Sequence, residues 1–274
     1  MEKTTHSTTQ STLAVRHAAD PNTLLSKLSP RDVLHRLGPP RTLLSSSFKT
    51  EKRLSVGVLS RVLYFTPGLF CSHSTPGCLA ACLGHSSGRM QMPTQALARD
   101  RRSALYLENT PLFLLMLSLD LGYLAGEARS RSLIPAARLN GSSDIAWEDC
   151  HPEIFETFPD ISFLDYTKNP ARMHRFLSHA DWPRNYHLTF SAAPGNHDEA
   201  REILAASGTV AVVFWPNIPD TFWGYPVING DTHDARFLDP KGTVIALIAK
   251  GLAQGDRTGF TVHVCRKCTH RRGA

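Results

Sequence analysis

LIPAARL (Leu133–Leu139), ISFLDY (Ile161–Tyr166), YHLTF (Tyr186–Phe190) and TVAVVF (Thr209–Phe214) recur along residues 133–214, spaced by one helix and two turns. Their β-branched and aromatic content reads as short strands. Helical patterns fill the gaps at Trp147–Phe158, at Pro170–Ala180 after Asn169, and at His197–Ser207, which starts near Asn196 and stops before Gly208. Strands alternating with helices at this interval make βαβ units and a parallel sheet, and right-handed crossovers curl such a sheet toward a barrel or part of one. The expected class is therefore α/β: a partial or irregular (β/α) barrel of about six parallel strands. Those strands are predicted at 61–66, 134–139, 161–166, 186–191, 209–214 and 243–248.

Upstream, Ser55–Thr66 (SVGVLSRVLYFT) reads as the first strand and runs straight into a cysteine-rich loop. Arg89–Ala125 carries two helices, the second opened by Pro111 and expected to close at Gly122 and Gly126. Downstream of Phe214, a long loop or short hairpin leads to a last core strand, Thr243–Ala249, and then to Phe260–Val264. Three regions follow: a basic, largely disordered arm over 1–53, the α/β domain over 54–264, and a basic C-x2-C tail over 265–274. Within the arm, Pro30–Leu37 has weak helical spacing.

The 274 residues are 42% hydrophobic and 20% charged, which excludes a chain dominated by disorder. The net charge of +6 is concentrated at the two ends. That pattern suits solvated termini, and it suits a nucleic-acid surface. No apolar leader follows MEKTTHSTTQ, and the longest apolar run, Leu112–Ala125, is interrupted by Asp120. The expectation is a soluble cytoplasmic protein with no membrane partner. Oligomeric state is not legible.

Polar residues gather just past the strand ends, the face where α/β sheets bind ligands. Arg138, Asn140, Asp144, Asp165, Lys168 and Asp231 are the candidate catalytic residues, expected to converge on one cavity around a polar substrate. Thr189 and Ser191 are candidate cofactor contacts. Arg138 sits inside an apolar strand and needs an anionic partner. Asp144 also suits a helix N-cap. Asp165 and Lys168 suit an ion pair, with Lys168 also able to hold a carboxylate or phosphate. Asp231, His233 and Asp234 carry donors for a second metal, while turn chemistry explains Asn229–Asp231 equally well. His73 and His85 read as solvated loop residues, and Cys150 as a packed thiol.

Cys71, Cys78 and Cys82 stand in a C-x6-C-x3-C spacing on the first loop. Three clustered thiols in a reducing compartment suggest a shared metal, because a disulfide would leave one over. Three readings stand: an iron–sulfur cluster with one iron open, a structural zinc completed by Cys265 and Cys268, and free thiols.

A barrel with a three-cysteine loop after its first strand resembles the radical S-adenosylmethionine enzymes, although their spacing is C-x3-C-x2-C and no counterpart of their glycine-rich segment is present. That resemblance implies an iron–sulfur cluster whose open iron chelates S-adenosylmethionine. A closer resemblance, over Val56–Gly259, is to the phage gene product 88 family, of unknown function. It is carried by CSHSTPGCLAACLGHSSGR, RLNGSSDIAWE (Arg138–Glu148), FLDYTKNPARM (Phe163–Met173), NYHLTFSAA (Asn185–Ala193), VAVVF (Val210–Phe214) and VINGDTHDARFLDP (Val227–Pro240). It implies a phage or prophage origin and a metal-binding barrel. The combined expectation is a phage metalloprotein of the radical type, or a zinc-stabilised phage protein that binds nucleic acid or a host partner.

Overall fold

Six parallel strands in sequence order form the centre of the molecule. The computed structural model describes residues 23–46, 53–86, 88–179 and 181–265. Its strands are β1 (Leu44–Ser45), β2 (Val58–Leu63), β3 (Ile134–Arg138), β4 (Ser162–Thr167), β5 (Tyr186–Ser191), β6 (Val210–Trp215), β7 (Thr221–Phe222), β8 (Tyr225–Asn229), β9 (Val244–Ile248) and β10 (Thr261–His263). The spatial order is β1-β2-β3-β4-β5-β6-β9-β8-β7, with β10 also on β6. From β2 through β6 to β9, every neighbour is parallel. Each predicted core strand therefore exists, and β5 falls at the predicted residues.

The sheet does not close, which corrects the barrel expectation to an open, mostly parallel sheet. One edge ends in β1, antiparallel to β2, and the other in the antiparallel β7–β8 hairpin. The physical reason lies at β6. Here β5 pairs only with Val210 and Ala211, and β10 then takes the same side at Val213–Trp215. The sheet forks where a barrel would have to keep its register.

The helices are α1 (Pro30–Leu37), α2 (Pro76–Ala80), α3 (Leu83–Ser86), α4 (Pro93–Glu108), α5 (Thr110–Ser130), α6 (Trp147–Cys150), α7 (Glu153–Thr157), α8 (Pro170–Ser178) and α9 (His197–Ala205). The single helix expected over Trp147–Phe158 is two short ones around Pro152, whose ring removes a backbone donor. Helix α5 runs through Gly122 and Gly126 to Ser130. Burial of Phe113, Leu117, Leu121, Leu124 and Ala128 against β2 and β3 outweighs about 1 kcal/mol per glycine. Among the described residues, α5 is the one helix long and apolar enough to cross a membrane by length and composition. Strand β2 spans Val58–Leu63 and ends before the expected 66, because Phe65 leaves the sheet to enter an aromatic cluster with Phe70, Tyr106, Phe113 and Trp147.

The segment expected to be a loose arm is folded wherever it is described. Ser29 caps α1 by accepting from the Asp32 N–H. Val33 and Leu43 are buried. The Leu43 and Leu44 N–H groups donate to Asp120, at 2.7 and 2.8 Å. Asp120 thus ties the segment down rather than interrupting the helix. Residues 1–22, 47–52 and the tail 266–274, including Cys268, lie outside the described residues.

The two faces of the sheet differ. Phe163, Tyr186, Leu188, Phe190 and Phe214 join the helix-covered core. On the opposite face, Val58, Ala136 and Leu164 meet Ala235 and Phe237, from the segment after β8. Strand alternation then sends Asp165 toward the helices and Tyr166 away from them.

Candidate functional site at the carboxyl ends of the strands

The turn after β3 is clamped onto the loop after β2. A Cβ at Gly141 would lie 2.5 Å from the Leu63 carbonyl oxygen, so only glycine allows this approach. Ser142 donates to the Phe65 carbonyl at 2.6 Å, and the Asp144 N–H donates to the Phe70 carbonyl at 2.9 Å. The cysteine loop is thereby anchored at its root.

Two of its thiols flank Ser142. The Cys71 thiol points at the Ser142 carbonyl oxygen, 3.7 Å away. A Cβ on Gly84 would sit 3.3 Å from the Cys82 sulfur and 2.9 Å from Ser142 Cβ. Cys78 lies on α2, where Thr75 accepts from its N–H at 3.2 Å. Burial pushes the Cys71 thiol up to about 12, and negative charge on Cys82, Asp144 and Cys78 pushes the same way. Burial also raises Cys82, with Cys78 adding to the rise while Lys168 and Arg99 oppose it. The three thiols thus feel one another, with two cations alongside. Lys168 Nζ donates to Ser191 Oγ at 2.9 Å and lies 5.8 Å from the centre of the Phe260 ring.

Thiols raised in this way, as Cys71 and Cys82 are, react slowly as nucleophiles, since the thiolate is the reactive form. At pH 8 the metal-free protein should be alkylated by iodoacetamide at Cys71 about 100- to 1,000-fold more slowly than at exposed Cys265. Peptide mapping after timed labelling measures this. Comparable rates would show that the loop is open.

On the helix-covered face of the sheet lies a buried ion network. Arg172 binds Glu148 through two 2.7 Å bonds and Asp144 through one of 2.6 Å. The Glu148 side chain is fully buried, and Arg172 is 5% exposed. Asp144 also accepts from the Lys168 N–H at 3.1 Å, tying the β3 turn to the end of β4. It does not cap the next helix, whose N-cap position is Ala146. Arg172 donates further to the Tyr186 hydroxyl. That hydroxyl donates to Asp165 at 2.9 Å, while the Asn140 backbone and side-chain N–H groups reach Asp165 at 2.7 and 3.1 Å. Burial raises Asp165 from 3.8 to about 7, against the pull of Arg138 and these donors.

The six catalytic candidates do not share one cavity. Arg138 projects to the other face, 4.7 Å from the Tyr166 ring centre and 3.6 Å from the Asp234 carboxylate. Its anionic partner is the protein's own. Asp165 and Lys168 form no ion pair, because residues three apart on an extended segment leave on opposite faces. Asp231 holds Lys250 at 2.5 Å and accepts from the Ile248 N–H. Asp234 accepts from the Tyr166 hydroxyl, and His233 lies 3.9 Å from Asp239. The second metal site therefore does not form. Thr189 is buried, with the Thr209 hydroxyl donating to its own at 3.5 Å. Asp144, Lys168 and Ser191 do gather beside the cysteine loop. Among the described residues, no three His, Cys, Asp or Glu side chains stand in ligating geometry. Cys265 is exposed at the end of β10.

Sequence reasoning missed Arg172, Glu148 and Tyr186. Their signal was weak: an arginine one turn into an amphipathic helix reads as solvated, and only its place in the FLDYTKNPARM block singled it out. Compared with known proteins, the chain matches one family model, described as Gene product 88, over residues 41–272. No curated protein and no solved structure matches it. The matched span exceeds the resembling blocks at both ends and takes in Cys265 and Cys268.

Proposed function

The chain belongs to the phage gene product 88 family, and from that premise we propose a metalloprotein whose Cys71, Cys78 and Cys82 hold an iron–sulfur cluster with one open iron, beside an anion-binding Lys168. The observation that carries this reading is the convergence of the half-buried cysteine loop on Ser142, with the Cys71 thiol 3.7 Å from its carbonyl oxygen and the Cys82 sulfur packed beside Gly84 against it. Soft thiolate donors suit iron–sulfur clusters and zinc. A bound cation deprotonates its thiols outright, reversing the penalty that burial imposes on Cys71. The donor chemistry fits. The thiols must draw together to share a group, since they do not stand in ligating geometry.

A cluster held by three thiolates supplies a free coordination position and one-electron reduction; S-adenosylmethionine is the co-substrate this reading names. The chain's own part is to half-bury the thiols and to offer Lys168 and Ser191 to an anionic group of a polar substrate. Phe260 covers Lys168 on one side.

The zinc alternative keeps one observation in its favour: the family match reaches 272 and so includes the C-x2-C pair. Reconstitution of the full chain with iron and sulfide under anaerobic conditions separates the two. The expected result is a brown protein with about four irons per chain, abolished by Cys71→Ser, Cys78→Ser or Cys82→Ser. Iron should be retained in Cys265→Ser/Cys268→Ser. Colourless protein with one zinc, lost in that double variant, would establish the alternative. If neither metal is retained, both readings fall.

A further inference from the structure

The outer face of α5 is an uncovered apolar surface on the described chain. Leu112, Leu115, Leu119 and Tyr123 are exposed there, Leu115 at 59% and Leu119 at 56%. Gly122 and Gly126 continue the same stripe, and a Cβ on either would meet nothing within 4 Å. The spacing 112, 115, 119, 122, 126 alternates three and four, which is the seam one helix offers another. No charged residue interrupts it before Arg129.

We propose that this face joins two copies of the chain as an antiparallel, two-fold dimer. Bulky residues occupy the first half of the seam and glycines the second. Pairing about a two-fold axis between Asp120 and Leu121 sets Leu119 against the partner's Gly122, and Leu115 against the partner's Gly126. Each leucine then enters a hole left by a missing side chain, and the backbones approach closely. A parallel pair would instead stack leucine on leucine and glycine on glycine, leaving the glycine end hollow. Charge agrees with the antiparallel order. Arg129 closes one end of the seam and pairs with no carboxylate in the described structure, while Glu108 stands at the other end with only a 3.8 Å contact to exposed Arg31. The two-fold brings each Arg129 beside Leu112 of the other copy, at the end of α5 that follows Glu108, the last residue of α4. Two-fold symmetry is also the commonest closed arrangement for identical chains.

Cysteine crosslinking of the full chain tests the geometry. Under mild oxidation, Leu115→Cys/Gly126→Cys should run as a crosslinked dimer. Neither single variant should, because equivalent residues lie about 16 Å apart along the axis. The unmodified chain under the same conditions controls for native thiols. Crosslinking of both single variants would mean parallel packing and would overturn the proposal. By sedimentation, the native chain should be a dimer, and Leu115→Asp/Leu119→Asp should weaken association on the order of 100-fold with an unchanged far-ultraviolet dichroism spectrum. A native chain that sediments as a monomer overturns the proposal, whether or not it floats with anionic lipid vesicles.

Discussion

Replacing Arg172 with methionine is expected to destabilise the fold by about 3–5 kcal/mol, the usual result of removing one partner from a buried ion pair. The size follows from what remains. Glu148 has no exposed side-chain area and loses both of its short bonds to the guanidinium, while Asp144 loses its closest partner. Two carboxylates would then be buried without a cation. Lysine is a partial substitute: it restores charge but not the planar fork that reaches Glu148, Asp144 and Tyr186 together. Arg175→Ala, one turn along the same helix, breaks an ion pair whose side chains are 42% and 49% exposed. It should change stability by less than about 1 kcal/mol. Urea unfolding of the three variants provides the comparison. Equal effects at 172 and 175 would mean that the network carries no weight.

Asp165→Asn is expected to change how stability depends on pH. The carboxyl's pKa is raised in the folded chain, from 3.8 to about 7. The folded state therefore binds the proton more tightly than the unfolded state does. Its contribution is fully present below about pH 4, and it is lost as pH rises through about 7. A shift of about three units corresponds to roughly 4 kcal/mol at most. The native chain should thus lose about 2–4 kcal/mol relative to Asp165→Asn between pH 4.5 and pH 8. Unfolding free energies of both proteins across that range decide it. Parallel curves would show that the three hydrogen bonds keep Asp165 ionised throughout.

Much of the architecture was legible because its signals are local. Apolar runs such as TVAVVF can satisfy their backbone only within a sheet, and the helix-length gaps between them require parallel pairing. What the sequence concealed depends on partners distant along the chain. Asp144 carries the signature of a helix cap, yet its carboxylate turns to Arg172, 28 residues on. Arg138 and Asp165 both lie in the carboxyl halves of their strands, and their placement on opposite faces rests on strand parity relative to each strand's own start. A boundary error of one residue reverses that parity. Asp120 looked like a fault in an apolar helix until Leu43 and Leu44 supplied its donors. Sheet closure was invisible for the same reason, because it depends on whether β10 displaces β5 along β6.

The segment after β8 gives the sheet a floor. Ala235 and Phe237 lie against Val58, Ala136 and Leu164, and Asp234 bonds Tyr166 one level higher. Lys168 stands two residues beyond Tyr166, about 6–7 Å along the strand. The floor and the Arg172 network thus lie on opposite faces of one sheet. A substitution between Asp234 and Phe237 can loosen the support under Tyr166 while the buried ion network on the helix side stays unchanged.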